Sequence, residues 1–395
     1  MLSGETIDKV VDILVNRIEK TNLYVLTEIG ESIKKIGTIN PSKAQQLAQI
    51  LKYGGNYEKI VKRIAKITQM NVNDIYKIFN EIAKEDYQFA KQFYDYRGIN
   101  YIPYEENYAF QEQVRALATI TAKEYLNLTK TSALGFGLLD KNGKVIFKGL
   151  KDTYYDILDE AVLSVSQGKE TFDSAMYRQL KNIGESGLKV VYESGYNRRL
   201  DSAVRMNLES ALGNLHNTIQ QQIGEEFGAD GVEISVHMNP ALDHEEVQGK
   251  QFTYEQFNNL QTYGIATSYD GIQVNMYTGK SFRPISEWNC KHKTFSIVLG
   301  VNKPQYSNEK LKDIITKNNK GFDFEDNHYT MYEGTQLQRQ IETEIRRKKE
   351  ELQTIESGGF GANKTNAKIR LLKSKYRKLS KISGLPLMEE RFKIA

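Results

Sequence analysis

The chain has 395 residues, 39% of them apolar and 26% charged, with 24 Tyr and 16 Phe; this excludes a membrane-embedded protein and a wholly disordered one, and allows two or three domains. The single cysteine, Cys290, excludes an internal disulfide, so a reducing compartment is expected. The net charge of +4 hides an asymmetry, because residues 339–395 carry 15 basic and 7 acidic side chains; that basic end suits an anionic partner, nucleic acid first, or else a solvated helix face.

Residues 1–12 show no basic segment followed by an apolar one, and no window approaches ~18 uninterrupted apolar residues, so neither a signal peptide nor membrane insertion is expected. Residues 1–130 read as a helical bundle. Val10, Val11, Leu14, Ile18, Val25, Ile29, Ile33 and Ile36 fall at helical spacing up to Gly37. Asn40-Pro41 is an N-cap followed by a proline at the first helical position, and that helix stops at Gly54-Gly55. Ile60, Val61, Ile64 and Ile67 predict another helix; after Asn71, Ile75, Ile78, Phe79 and Ile82 predict one more. Short connections predict antiparallel neighbours. The aromatic-dense stretch from Tyr87 to Phe110 suits a partner interface, or packing against the next domain.

Residues 131–330 read as an α+β domain with a small sheet. Gly135 to Phe147 looks like a hairpin with Asn142-Gly143 as a tight turn. Helices resume over 153–184, Val190-Val191-Tyr192 is a short strand, and 199–227 is a long amphipathic helix. Val232-Glu233-Ile234-Ser235-Val236 alternates as a half-buried strand does, and 294–299 is a second strand candidate; Gly249, Gly264, Gly271 and Gly279 mark turns between them. Residues 331–395 read as a basic helical hairpin. Leu337, Ile341, Ile345, Leu352 and Ile355 form one stripe, Ile369, Leu372, Tyr376, Leu379 and Ile382 another, with a glycine loop between. Glu342/Arg346 and Glu344/Lys348 are candidate i,i+4 pairs. The fold class is thus α+β, predominantly helical.

One cluster could carry chemistry: His237, His244, Cys290 and His292 hold three of the five histidines and the only cysteine. Thiolate and imidazole form a zinc-compatible set, although the spacing is not that of a zinc finger. The alternatives are a Cys/His nucleophile and a polar network tying loops to the sheet. No phosphate-binding loop, nucleophile elbow or H-E-x-x-H occurs, so no catalytic residue is assigned and no cofactor is expected, zinc being the lesser reading. The candidate DNA-binding residues are Arg346, Arg347, Lys348 and Lys349, and Lys368, Arg370, Lys373, Lys375, Arg377 and Lys378, with Lys381 beyond them. Many should point outward, giving salt-dependent contact with phosphates and no base reading.

Five blocks in order carry a family likeness: Arg199-Leu200-Asp201-Ser202-Ala203-Val204-Arg205-Met206-Asn207; Val232 to His237; His244 with Gln248-Gly249-Lys250; Trp288-Asn289-Cys290-Lys291-His292; and Tyr332 to Arg339, ending in Ser383-Gly384-Leu385-Pro386. With these the chain resembles the phage minor capsid protein 2 family, related to the Mu F-like head proteins of tailed bacteriophages. The resemblance implies a minor head component inside the virion, at the portal vertex, made in the host cytoplasm. Its implied partners are the portal protein, the inner capsid shell and packaged double-stranded DNA, with roles in head assembly and in handling or ejecting that DNA. It implies no established enzyme. The competing readings are a zinc- or Cys/His-dependent enzyme centred on Cys290 and His292, and a free cytosolic DNA-binding protein.

Overall fold

The structure, a computed structural model, describes residues 4–140, 142–276, 283–286 and 290–393. Lys141, Gly279, Trp288 and Asn289, which the sequence reading uses, lie outside the described residues. The chain is predominantly helical, with small antiparallel sheets.

Helix α1 (Gly4–Gly37) is followed by α2 (Pro41–Tyr53), which starts as the sequence predicts: the Asn40 side chain accepts a hydrogen bond from the Lys43 N–H at 3.0 Å. Helix α3 (Asn56–Arg97) is a single helix where two were expected. Asn71 does not end it, because its buried amide is bonded elsewhere. The amide donates to the Leu14 carbonyl at 3.1 Å and the Tyr125 hydroxyl at 2.7 Å, and accepts from Arg17 at 3.0 Å. A side chain satisfied in this way does not compete for its own helix backbone. Helix α4 (Tyr108–Thr129) follows.

Strands β1 (Leu134–Leu139) and β2 (Val145–Gly149) form the expected hairpin, but the register pairs Leu139 with Val145. The connection is therefore residues 140–144, longer than a two-residue turn. The Asp140 carboxylate organises it, accepting from the N–H groups of Asn142 and Lys144 at 2.8 Å each. Next come α5 (Leu150–Gln167), α6 (Lys169–Ser186), β3 (Lys189–Val191), β4 (Asn197–Arg199) and α7 (Leu200–Phe227). The remainder comprises β5 (Gly231–Ile234), β6 (Gln251–Thr253), α8 (Tyr254–Tyr263), β7 (Ile265–Thr267), β8 (Gln273–Asn275), β9 (Thr294–Ile297), α9 (Asn308–Lys320), β10 (Phe322–Phe324), β11 (Asn327–Tyr329), α10 (Met331–Ser357) and α11 (Asn363–Ser383).

These elements form two compact units, and every boundary between them falls inside a helix. The first unit holds the chain up to Val11, Asp74–Ala122 and Met206–Gln336. Its sheet has the order β6-β5-β9, antiparallel throughout, with Ile234 opposite Thr294. Under that sheet Val232, Ile234, Val247, Phe252, Leu260, Val274 and Met276 form a buried cluster. Much of the aromatic stretch is core here, although Phe89 and Tyr108 are exposed. Tyr87, Tyr94, Tyr104 and Phe110 are buried; Tyr87 lies against Tyr94, Tyr101, Tyr104 and Phe110, and Tyr94 against Phe227.

The second unit holds Asp12–Asn73, Lys123–Arg205 and the chain from Leu337 on. Its sheet has the order β2-β1-β3-β4. Helices α10 and α11 fold back as the predicted hairpin: Gln338 donates to Ser380, Tyr376 to Glu342 and Thr365 to Glu351, each at 2.7 Å. Glu342 and Lys348 are both buried, Glu342 bonded by Tyr376 and Lys348 bonded to Glu185 of α6 and Glu351 of its own helix, so the expected i,i+4 pairing does not describe them. Helix α6 passes so close to α10 that a Cβ on Gly184 would lie 2.6 Å from the Glu351 Cα.

Candidate functional site

The histidine–cysteine cluster forms in the first unit, just past the paired ends of β5 and β9. The strands extend their contact there: the Ser235 N–H donates to the Lys293 carbonyl and the Lys293 N–H to the Ser235 hydroxyl, both at 2.8 Å. This brings the segment after β5, with His237, against the segment before β9, with Cys290 and His292. The turn at residues 242–249 supplies His244 and Gln248. Two ties hold that turn: Arg283 clasps the Asp243 carboxylate, with its Nε at 2.8 Å, and Asn318 donates to Glu245 at 2.7 Å.

Inside the cluster, Cys290 Sγ lies 3.5 Å from His244 Nδ1 and 3.5 Å from His292 Nδ1. All three ligand-type atoms fall within 4.8 Å of one another. His244 Nε2 donates to the Arg283 carbonyl at 2.9 Å. Gln248 Oε1 accepts from the His237 N–H at 2.9 Å and faces His292 Nε2 at 3.4 Å. The ring of His237 packs edge-on against His292 with centroids 4.5 Å apart, and its Nε2 is buried with no hydrogen-bond partner among the described residues.

Burial controls protonation here. It pushes all three imidazoles below their usual range, His292 furthest, and pushes the Cys290 thiol up. Thiol and imidazoles are therefore neutral near pH 7, and the thiolate–imidazolium form that a cysteine nucleophile needs is disfavoured. Two surface clefts, one lined by residues between Gln88 and Glu105 and one by residues between Pro41 and Ser166, include no member of the cluster. Sequence reasoning named the four chemical side chains; it gave no orienting role to Asp243 beside His244 or to Gln248, and it missed Arg283. Gln248, Arg283 and Asp243 act across loops, and their residue types alone carry no signal.

The candidate DNA-contacting residues divide into two groups in the second unit. The block on α10 is bonded within the fold. Lys348 is 5% exposed and donates to Glu185 at 2.5 Å and Glu351 at 2.6 Å. Arg346 lies 3.6 Å from Glu19 and 3.8 Å from Asp201, and donates to the Arg391 carbonyl at 2.8 Å. Arg347 bonds Glu344 and the Glu185 carbonyl, and Lys349 bonds the Phe392 carbonyl. Of the ten candidate cations, the four on α10 are thus engaged by acids and carbonyls, some in the next turn of the helix and some distant in sequence, although the Arg347 side chain stays 40% exposed.

Helix α11 differs. It carries eight cations and no carboxylate. Its buried stripe is Thr365, Ile369, Tyr376, Leu379 and Ser380. Lys364, Lys368, Arg370, Arg377, Lys378 and Lys381 are exposed, and Lys373 and Lys375 half-buried. Helical spacing sorts them into two rows, Lys364/Lys368/Lys375/Lys378 and Arg370/Lys373/Arg377/Lys381, flanking the buried stripe. Arg377 also bonds Glu389 at 2.7 Å.

The family model described as phage minor capsid protein 2 matches residues 2–381, nearly the whole chain. The chain belongs to that family. It is thus a structural component of a phage virion. No curated protein and no solved structure matches it. No described helix of this minor capsid protein is long and apolar enough to cross a membrane.

Proposed function

We propose that this minor capsid protein sits at the portal vertex inside the head and contacts packaged double-stranded DNA through α11. Its partners on this reading are the portal protein and the inner shell. It enters the head from the host cytoplasm during assembly, and its DNA contact serves packaging or ejection. The observation that carries the reading is the charge of α11: eight cations, no acid, in two rows that flank the stripe buried against the rest of the hairpin. Cations so arranged suit the repeating phosphates of a duplex and carry no base-reading chemistry. On this reading the protein acts as a binding surface rather than by turnover, in keeping with a capsid family and with surroundings that disfavour the thiolate–imidazolium pair of a cysteine nucleophile.

The test is a salt titration of the full-length protein on a duplex of arbitrary sequence. A helix laid along the duplex that neutralises three to five phosphates gives a slope of log K against log salt of about −3 to −4.5. Replacing Lys364, Lys368 and Lys378 with Gln should shrink that slope by about 0.9 for each phosphate no longer neutralised. Binding that ignores salt, or that survives the triple variant unchanged, refutes the DNA role of α11. Absence of the protein from purified virions would favour a free DNA-binding protein instead.

A further inference from the structure

We propose that His244, Cys290 and His292 form a structural zinc site, with His237 as the fourth ligand. Hydrogen positions show why. The Arg283 carbonyl can only accept, so His244 carries its proton on Nε2, and Nδ1 presents a lone pair. The His237 N–H fixes Gln248 with its oxygen toward His292, so His292 also carries its proton on Nε2 and presents a lone pair at Nδ1. Both lone pairs face the same sulfur at 3.5 Å. A thiol has one proton and can satisfy one of them. The other would be a buried acceptor without a donor, which costs about 1–3 kcal/mol.

A third nitrogen, His237 Nε2, is buried beside His292 with no partner. The cluster therefore has more acceptors than protons, which is the complement of a cation.

Dimensions identify the cation. With zinc–sulfur bonds of about 2.3 Å and zinc–nitrogen bonds of about 2.0–2.1 Å, a tetrahedral site places sulfur and nitrogen about 3.5–3.6 Å apart. The two observed separations are 3.5 Å each. A donor set of one thiolate and imidazoles selects zinc over magnesium or calcium, which take oxygen ligands. The remaining nitrogens are held as metal-binding histidines usually are: His244 by a carbonyl, His292 by an amide oxygen. On binding, the Cys290 S–H bond breaks, the proton leaves to solvent, and a zinc–sulfur bond forms. Turning the His237 ring toward the cluster closes the fourth position. The metal pins the turn at 242–249 to the end of the sheet, a role in rigidity rather than reaction.

The experiment uses the full-length chain. Elemental analysis of the purified protein should find one zinc per chain. After chelation, cobalt(II) should bind with saturation at one equivalent. It should give the visible bands of a tetrahedral site together with a thiolate-to-cobalt charge-transfer band. Cys290 is the only cysteine, so that band can arise nowhere else. Cys290→Ser should abolish it and weaken binding at least about tenfold, whereas His328→Ala, at an exposed histidine paired with Asp323, should change neither. Folded wild-type protein that takes up no zinc or cobalt, or that binds cobalt without the thiolate band, overturns the proposal. The wild-type spectrum decides the matter even if Cys290→Ser fails to fold.

Discussion

Glu19 offers a sharp test of the electrostatics inside the second unit. It lies on α1, 8% exposed, in a buried group with Asp201, Glu350, Arg199 and Arg346. Arg199 is committed: it donates to Glu350 at 2.9 and 2.6 Å and to Asp201 at 3.1 Å. Burial opposes ionisation of Asp201, but Arg199 and Arg346 outweigh it and hold that carboxyl below its usual range. Arg205 pairs with Asp12 at a more exposed edge. Three buried carboxyls therefore share two guanidiniums, and Glu19 is the one left over. Burial pushes it from 4.5 to about 7, against the pull of Arg346 and helped by the charges on Asp201 and Glu350. Between those values the folded chain holds a proton that the unfolded chain has released. The stabilisation is complete below 4.5, falls as pH rises toward 7, and is gone above it. The span is worth ~3 kcal/mol. Glu19→Gln keeps the shape and the uncharged state at every pH. It should match wild type at pH 4 within about 0.5 kcal/mol and exceed it at pH 8 by about 3 kcal/mol, read by urea unfolding followed by circular dichroism. A variant less stable than wild type at pH 8 would mean that Glu19 is ionised and paired with Arg346, and is not the carboxyl left over.

Lys348→Met should lower stability by about 3–5 kcal/mol, because it strands the buried Glu351 carboxylate and removes the Glu185 pair, while leaving the salt slope of DNA binding unchanged. A reduced slope with intact stability would return Lys348 to the DNA surface. Tyr376→Phe removes the hydroxyl that donates to buried Glu342 at 2.7 Å and accepts from the Met388 N–H at 3.1 Å. It should cost about 1–3 kcal/mol in unfolding free energy. Gly184→Ala should destabilise by about 1–3 kcal/mol despite the better helix propensity of alanine, since the new methyl meets the α10 backbone. A neutral outcome in a melt would show that α6 and α10 can separate at no cost.

How much of the fold was written in the sequence depends on the range of the interaction. The Asn40-Pro41 start of α2 and the two stripes of the α10–α11 hairpin are local patterns, and each produced the element expected; the alternation at Val232–Val236 produced a strand, but one buried on both faces rather than half-buried, because Gln251 and the Gln305 N–H satisfy the Glu233 carboxylate. Asn71 misled because its three partners lie on helices remote in sequence, and they turn a residue that usually interrupts a helix into a buried bridge. The aromatic stretch left two readings open, since tyrosines suit an interface or a core equally well, and the ring contacts from Tyr87 to Phe110 and from Tyr94 to Phe227 place Tyr87, Tyr94 and Phe110 in the core. At the cluster, residue types were legible and proton positions were not. The carbonyl of Arg283 and the amide of Gln248 determine which nitrogen carries each hydrogen.

The basic end of the chain shows why a charge total cannot stand for a surface. On α10 every cation of the Arg346–Lys349 block faces an acid or a carbonyl supplied from elsewhere in the second unit. Those charges are committed to the fold, and drawing Lys348 out to a phosphate would leave the buried Glu351 carboxylate without its cation. On α11 no carboxylate shares the helix. Six of its eight cations are exposed, so ordinary counterions can neutralise them and a polyanion can displace those counterions. The apolar stripe that docks α11 on α10 fixes which way the two rows face. Core packing thereby orients the cations: Arg377 is engaged by Glu389, whereas Lys364, Lys368, Arg370, Lys378 and Lys381 stay exposed on a helix without acids of its own.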